Sequence, residues 1–330
     1  MLAEYPSPST EMTLFLPTVS VIIPIYNGEL DLPGLADCLL QQIYPAERVE
    51  YLLVDNGSRD RTPQLIADAV ARASAQGLTF RYLNETDIQS AYAARNTGIR
   101  QATGEILAFT DADCYPQPDW LVNLVQGFKA PEVGLTVGEV AALPGQSWLE
   151  KYAERQQLMS QKDTLAHPFC PYGQTANIAI RAAALAEIGL FRPHLTTGGD
   201  ADLCWRLQRE GGWQLYFAED AVIRHRHRAT LKALYSQWYR YGRSNRYLHE
   251  LHGTELARPL RQPELKKQLA RWLLKEIPLT SWQLLRGKAR PIDLLRTPIG
   301  LYCARARTQG QQAAQLSEAA RLIVQQEPVE

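Results

Sequence analysis

The first third of the chain alternates apolar runs with amphipathic stretches. Val19–Ile25 (VSVIIPI) is a mostly β-branched run and predicts a strand. A helical pattern follows over 30–42, then a strand over 50–54 that ends in Asp55-Asn56-Gly57-Ser58. A second helix opens after Ser58, with Asp60 or Thr62 as its cap. A weaker strand covers 79–83, a helix 90–102, and a fourth strand lies in the stretch GEILAFTDADC, residues 104–114. Within it, Ile106–Phe109 has no polar residue, as expected of a strand buried on both faces. Strands taking turns with helices predict a doubly wound, mostly parallel sheet.

The second half is less regular. Residues 133–141 read as a strand that leaves the parallel register, 148–161 as a helix and 174–180 as a strand, and residues 196–203 open a helix that ends near Gly211. Leu231, Leu234, Tyr235 and Trp238 have helical spacing over 231–247. Beyond Gly253, 265–285 and 291–302 mix Leu, Ile, Trp and Tyr with Lys and Arg, and Pro278, Pro291 and Pro298 are expected to divide them into short helices. The last twenty residues read as a polar-faced helix with a frayed end, and residues 1–17 as a flexible leader. The domain reading is therefore a leader over 1–17, a catalytic unit over 18–228 and a basic helical region over 229–330.

Composition is that of an ordinary globular protein, 330 residues with 45% hydrophobic and 21% charged. Net charge is zero, but residues 221–310 hold 19 of the 35 Lys and Arg and only 5 of the 35 Asp and Glu. That asymmetry points to an anionic surface or substrate near the C-terminal region. The five cysteines are scattered without a CxxC pair, which argues against a disulfide framework or zinc site. The N-terminus lacks a basic start and an apolar core, so no secretory signal is expected. No window of about 18 apolar residues without charge occurs. The expectation is a cytoplasmic protein, peripheral on the inner membrane face, with no nucleic-acid partner.

Candidate chemistry gathers where strands end. Asp111 and Asp113 follow the fourth strand with one residue between them, which in extended backbone turns both to one side. Carboxylates so close repel, so a cation is expected beside them, and an oxygen-seeking divalent ion that also grips a diphosphate fits. Tyr26 and Asp55 end the first two strands, and Arg95-Asn96 lies on the intervening helix. Neither GxGxxG nor GxxxxGK[ST] occurs, which removes the dinucleotide fingerprint and the P-loop.

Four segments carry a resemblance: VSVIIPIYNGE, VEYLLVDNGSRDRT, AARNTGIRQATGEILAFTDADC and TTGGDADLCWRL. In this order they resemble the motifs of family 2 glycosyltransferases of the GT-A fold, over residues 19–244. The resemblance implies a Rossmann-like, mostly parallel α/β sheet flanked by helices, here with a C-terminal helical extension. It implies inverting transfer of a sugar from a nucleoside diphosphate sugar, UDP-sugar by default, with Mn2+ or Mg2+. By position in the motifs, Tyr26 would flank the base with Pro24 beside it, Asp55 and Arg95 would contact the base, and Asp111 the ribose. Glu29 and Asn56 are further candidates for that pocket, and Asp113 would be a metal ligand.

By the same resemblance Asp200 would be the general base that deprotonates the acceptor hydroxyl. The family usually has Glu-Asp here, whereas this chain has Gly199-Asp200, which bears on the acceptor contact. Asp202 is read as a cap or a partner of Arg206. His225, in the run VIRHRHR, is a candidate second metal ligand with His227 as its rival, and imidazole suits Mn2+ better than Mg2+. The run QWYRY, residues 237–241, is similar to the QxxRW box of processive synthases and is read as a helix packed near the site. Acceptors in view are glycans, polysaccharides and lipid-linked sugars; the basic C-terminal helices read equally as a membrane-lying surface or as ordinary packing against the domain. Two other classes share features with this reading: a sugar nucleotidyltransferase, which also uses paired acids and a metal, and a non-catalytic glycan- or membrane-binding relative.

Overall fold

The computed structural model describes residues 14–259 and 261–325. Eight strands form one sheet in the order β3-β2-β1-β4-β7-β6-β8-β5. The parallel half is β1 (Val19–Ile25), β2 (Val49–Asp55), β3 (Thr79–Asn84) and β4 (Ile106–Phe109). Every residue of β1, β2 and β4 is buried, which is why their apolar runs are uninterrupted. Val19, Val21, Ile23 and Ile25 face α1 (Leu32–Leu40) and α2 (Thr62–Ser74), while Ile22, Leu52 and Val54 face α3 (Ala91–Gln101). Each such Val, Leu or Ile contributes about 1.5–3 kcal/mol by leaving water. The parallel strands deliver their C-terminal ends to one rim, where an open α/β sheet binds ligands.

The remaining strands are β5 (Cys114–Pro116), β6 (Val133–Ala142), β7 (Ile178–Arg181) and β8 (Gln214–His225). β7 pairs antiparallel with both β4 and β6, so β6 itself runs in the direction of β4 and pairs parallel with β8; the strand that leaves the parallel register is β7, not the one expected over 133–141. The residues expected as one helix over 148–161 divide into α5 (Trp148–Arg155) and α6 (Gln161–Leu165), after α4 (Trp120–Leu124). Two helices follow, α7 (Ala182–Ile188) and α8 (Gly199–Arg209). The strand at 174–180 begins only at Ile178, because Gln174 accommodates a turn closed by the Asn177 N–H.

From Leu231 the chain is helical: α9 (Leu231–His252), α10 (Gln262–Arg271), α11 (Ile277–Leu285), α12 (Arg296–Ala313) and α13 (Glu318–Arg321). The prolines do less breaking than expected. Pro278 sits in the first turn of α11 after one wide turn over Trp272–Glu276, and Pro298 in the first turn of the 18-residue α12, where a missing N–H costs nothing. α9 packs along α12 so closely that a Cβ on Gly242 would collide with the Arg307 carbonyl, so only glycine serves there. The tail over 311–325 is mostly not the helix expected; the Val324 carbonyl instead accepts the Leu190 N–H at 2.9 Å. The leader expected over 1–17 lies partly outside the described residues. Its end is docked: the Tyr44 hydroxyl donates to the Pro17 carbonyl, and the Gln126 side chain brackets Phe15.

Candidate active site

A cavity of about 610 Å3 opens at the C-terminal rim of β1 and β4. Pro24, Tyr26, Arg95, Asp111, Asp113, Asp200 and His225 all line it. Asp111 and Asp113 come together for a different reason than extended alternation. The chain turns after Phe109, and the Cys114 N–H closes that turn on the Asp111 carbonyl at 3.1 Å. β5 then pairs Cys114 with His225 of β8, and the Arg226 N–H donates to the Asp113 carbonyl at 3.0 Å. Sheet register thus sets His225 beside Asp113: Nε2 lies 3.5 Å from Asp113 Oδ2, and Arg228 Nη1 lies 3.3 Å from the same oxygen. Burial alone would raise the Asp113 carboxyl, but His225, Arg228 and Arg226 outweigh it and hold it well below the usual carboxylate range. Burial pushes the His227 imidazole down to about 4, with His225 and Arg228 adding to the effect.

The Arg95 guanidinium donates to Asp111 Oδ1 at 2.5 Å from an almost fully buried position. The Asp111 carboxyl is nevertheless raised, first by burial and then by Asp113, against the pull of Arg95. Asp31, with no signal in the sequence, is the buried anchor of this side. It accepts from Tyr115 Oη at 2.9 Å and takes both forks of Arg226.

Asp200 sits in the first turn of α8 with both oxygens engaged. Tyr92 Oη donates to Oδ1 at 2.9 Å, and the Thr175 N–H donates to Oδ2 at 3.2 Å. The Tyr92 hydroxyl also accepts the Gly199 N–H at 2.9 Å. A Cβ on Gly199 would stand 2.7 Å from Tyr92 Cζ, so the glycine and the tyrosine fill one space between them. Burial, and then Asp200, push the Tyr92 phenol well above its ordinary value, keeping it a donor. Tyr92 was missed, although it precedes Arg95 by three on one helix face. Asp202 does bind Arg206, as expected. Fully buried, it also meets Arg192 at 3.0 Å and His252 at 2.9 Å, and these partners overcome burial to bring its carboxyl down to about 2.

Three of the residues expected at the nucleotide, Asp55, Glu29 and Asn56, lie off the cavity wall. Asp55 is buried, and its Oδ1 accepts the Ser58 N–H at 3.1 Å, the local bond of an aspartate opening a turn. Glu29 accepts the Arg61 N–H at 3.2 Å on the outer side of the loop. Asn56 is likewise spent on the carbonyls of Glu85 and Ile88. In turn α9, distant in sequence, supplies Gln237, Arg240 and Tyr241 to the cavity. The QWYRY run is therefore a wall of the site.

The donor set at the rim suits a divalent cation in chemistry: one carboxylate and one imidazole 3.5 Å apart, with Asp111 alongside. Among the described residues no group of three or more His, Cys, Asp or Glu is arranged to hold a metal on its own. Any ion here needs further oxygens from a ligand.

The family model described as glycosyl transferase family 2 matches residues 20–189, and that of glycosyl transferase family group 2 matches residues 106–296. This chain belongs to glycosyltransferase family 2. Among its relatives, the transferase is 35% identical over 213 residues to glycosyltransferase AglE of Haloferax volcanii, covering 64% of this chain and 67% of that one. It is 28% identical over 219 residues to the pre-mycofactocin glycosyltransferase of Mycobacterium tuberculosis, of which it spans only 44%. In fold it is similar to the mannosyltransferase PcManGT of Pyrobaculum calidifontis, solved in complex with GDP-Man and Mn2+. That match has a TM-score of 0.62 at 20% identity and covers 93% of this chain and 90% of the other. The mostly parallel sheet with its antiparallel continuation is thus of the GT-A kind. No helix among the described residues of the transferase is long and apolar enough to cross a membrane.

Proposed function

We propose that this family 2 glycosyltransferase moves a sugar, with inversion, from a nucleoside diphosphate sugar to an acceptor hydroxyl. The observation that carries the reading is the place of Asp200. Its carboxylate borders the 610 Å3 cavity that holds the Asp111–Asp113 turn, and also a second cavity of about 280 Å3 on its other side. A base standing between donor and acceptor is what single displacement requires. The acceptor oxygen attacks the anomeric carbon, its proton passes to Asp200, and the bond to the diphosphate breaks on the opposite face.

Tyr26, half exposed at the cavity mouth, offers a ring to the nucleobase beside Pro24, and Asp111, steadied by Arg95, a carboxylate to the ribose. Asp113 and His225 would hold Mn2+ or Mg2+ together with diphosphate oxygens, and the ion would supply charge neutralisation to the departing diphosphate. Arg228 and Arg240 border the same space and add positive charge. Asp55 and Glu29 shape the loop around Tyr26. Support for a nucleotide sugar and a metal comes from PcManGT, whose structure holds GDP-Man and Mn2+, although UDP, GDP and dTDP remain alternatives for this chain. A membrane surface is the fitting partner for the C-terminal helices. There Leu274 and Leu285 are more than four-fifths exposed and Trp282 half exposed, among Lys267, Arg271, Lys275, Arg286 and Lys288.

The test is a panel of UDP-, GDP- and dTDP-sugars assayed with Mn2+ and with Mg2+ for nucleoside diphosphate release. One donor is expected to turn over, and Asp200→Asn to bind it normally while losing at least about a hundredfold in transfer. Release of pyrophosphate from a nucleoside triphosphate instead, or an Asp200→Asn variant with undiminished transfer, would overturn the proposal.

A further inference from the structure

We propose that Asp31 is a positioning residue for the cation site: paired with Arg226 beside Asp113, it cancels a positive charge that would otherwise repel a divalent ion. This rests on the reading of Asp113 and His225 as metal ligands and names the group that sets the charge around them.

One carboxylate ties three distant stretches of chain together. Asp31 immediately precedes α1, and its N–H donates to the Gly28 carbonyl at 3.1 Å, closing the turn that leaves β1. Its Oδ1 accepts from the hydroxyl of Tyr115, two residues after Asp113, at 2.9 Å. Arg226, the residue after His225, donates from Nε to Oδ1 and from Nη2 to Oδ2. A Cβ on Gly34, in the first turn of α1, would stand 2.6 Å from Tyr115 Cε1, so the tyrosine reaches Asp31 only across a glycine. Asp31 is buried, and it grips a near neighbour of each proposed ligand.

Charge gives that grip a consequence. Along the cavity wall Arg95 is matched by Asp111, Arg228 by Asp113 and Arg226 by Asp31. The Arg226 backbone N–H donates to the Asp113 carbonyl at 3.0 Å, and its guanidinium helps to hold the Asp113 carboxyl low. Without the Asp31 charge, that guanidinium stands uncompensated beside the ion's seat. It then repels a divalent cation and attracts a bare diphosphate, so the two respond in opposite directions. A carboxylate that only held the fold together would, on removal, weaken both.

The experiment titrates UDP, GDP and dTDP into the full chain by calorimetry, with and without Mn2+. For a nucleotide that binds, Asp31→Asn should cut the factor by which Mn2+ tightens binding about tenfold, with affinity in the absence of metal equal to or above the parent's. Arg226→Gln reverses the imbalance and should enlarge the factor. Asp31→Asn with Arg226→Gln removes both charges and should restore most of it. Tyr115→Phe drops one donor, keeps both charges and should stay within about twofold of the parent. Thermal melting identifies the folded variants. An unchanged factor in the folded single charge variants, equal loss of affinity with and without Mn2+, no recovery in the double variant, or a Tyr115→Phe effect as large as that of Asp31→Asn would overturn the inference. A parent whose nucleotide affinity ignores Mn2+ would overturn the metal reading itself, and this inference with it.

Discussion

Replacing Tyr92 with Phe removes one oxygen from beneath the base and nothing else of consequence. The ring is buried and stacks on Phe191 at 5.6 Å between centroids, with planes 19° apart, a packing that phenylalanine keeps. What disappears is the 2.9 Å bond to Asp200 Oδ1 and the acceptor for the Gly199 N–H. A hydrogen bond to a charged group contributes about 1.5–3 kcal/mol. If that bond orients the carboxylate toward the acceptor, its loss falls on the transition state, and kcat drops about 10- to 150-fold. Donor KM should stay within about twofold, because Tyr92 Oη points to the base and not to the diphosphate. The assay is nucleoside diphosphate release at saturating donor and acceptor, with thermal melting as the check on folding. The Tyr92→Phe/Asp200→Asn double variant should be no slower than Asp200→Asn alone, since the hydroxyl acts through the carboxylate. Full kcat in folded Tyr92→Phe, or losses that multiply in the double variant, would refute the reasoning.

Other perturbations reach different parts of the molecule. Asp113→Ala should abolish the extra melting-point increase that Mn2+ gives over nucleoside diphosphate alone, a difference read by thermal shift. Asp202 is a stability group: its folded pKa of about 2 lies below the unfolded value, so its contribution is complete above about pH 4 and is lost as pH falls toward 2. The shift corresponds to about 2 kcal/mol, and urea unfolding from pH 6 down to pH 3 should show this slope in the parent and a shallower one in Asp202→Asn. At pH 6 that variant should itself be destabilised by about 3–5 kcal/mol, since it leaves Arg206 buried with its ion pair gone. Leu274→Asp with Leu285→Asp should abolish sedimentation with anionic phosphatidylserine vesicles without lowering the melting temperature, because both side chains face solvent.

What could be read from the residues, and what could not, divides by how far apart the interacting groups lie. β1 was legible to its ends, and the helix after Ser90 was legible because Ser90 caps it, its hydroxyl accepting the Tyr92 N–H at 3.2 Å. Strand-end acids followed from strand direction, and so the Asp111–Asp113 pair was found even though a turn, not extended backbone, brings it together. Asp55 shows the limit. A strand-end carboxylate has two uses, ligand or turn, and here the Ser58 N–H only three residues away takes one of its two oxygens. β8 stayed hidden because exposed and buried positions alternate irregularly along it and its register with β6 slips between Gly138 and Glu139, so no clean period survives. Hidden too was the exchange between positions 92 and 199, 107 residues apart. Where the family usually carries a glutamate this chain has glycine, and the space beside the glycine backbone is taken by a tyrosine ring whose hydroxyl holds the next residue's carboxylate. Residues 92 and 199 therefore share one space in this chain, and a side chain at 199 should be tolerated only if the ring at 92 gives way. Gly199→Glu alone must displace Tyr92 and lose the bond to Asp200, whereas Gly199→Glu with Tyr92→Ala opens the space and should recover part of the lost kcat. If the double variant is no faster than Gly199→Glu alone, the two positions do not share that space in the working enzyme.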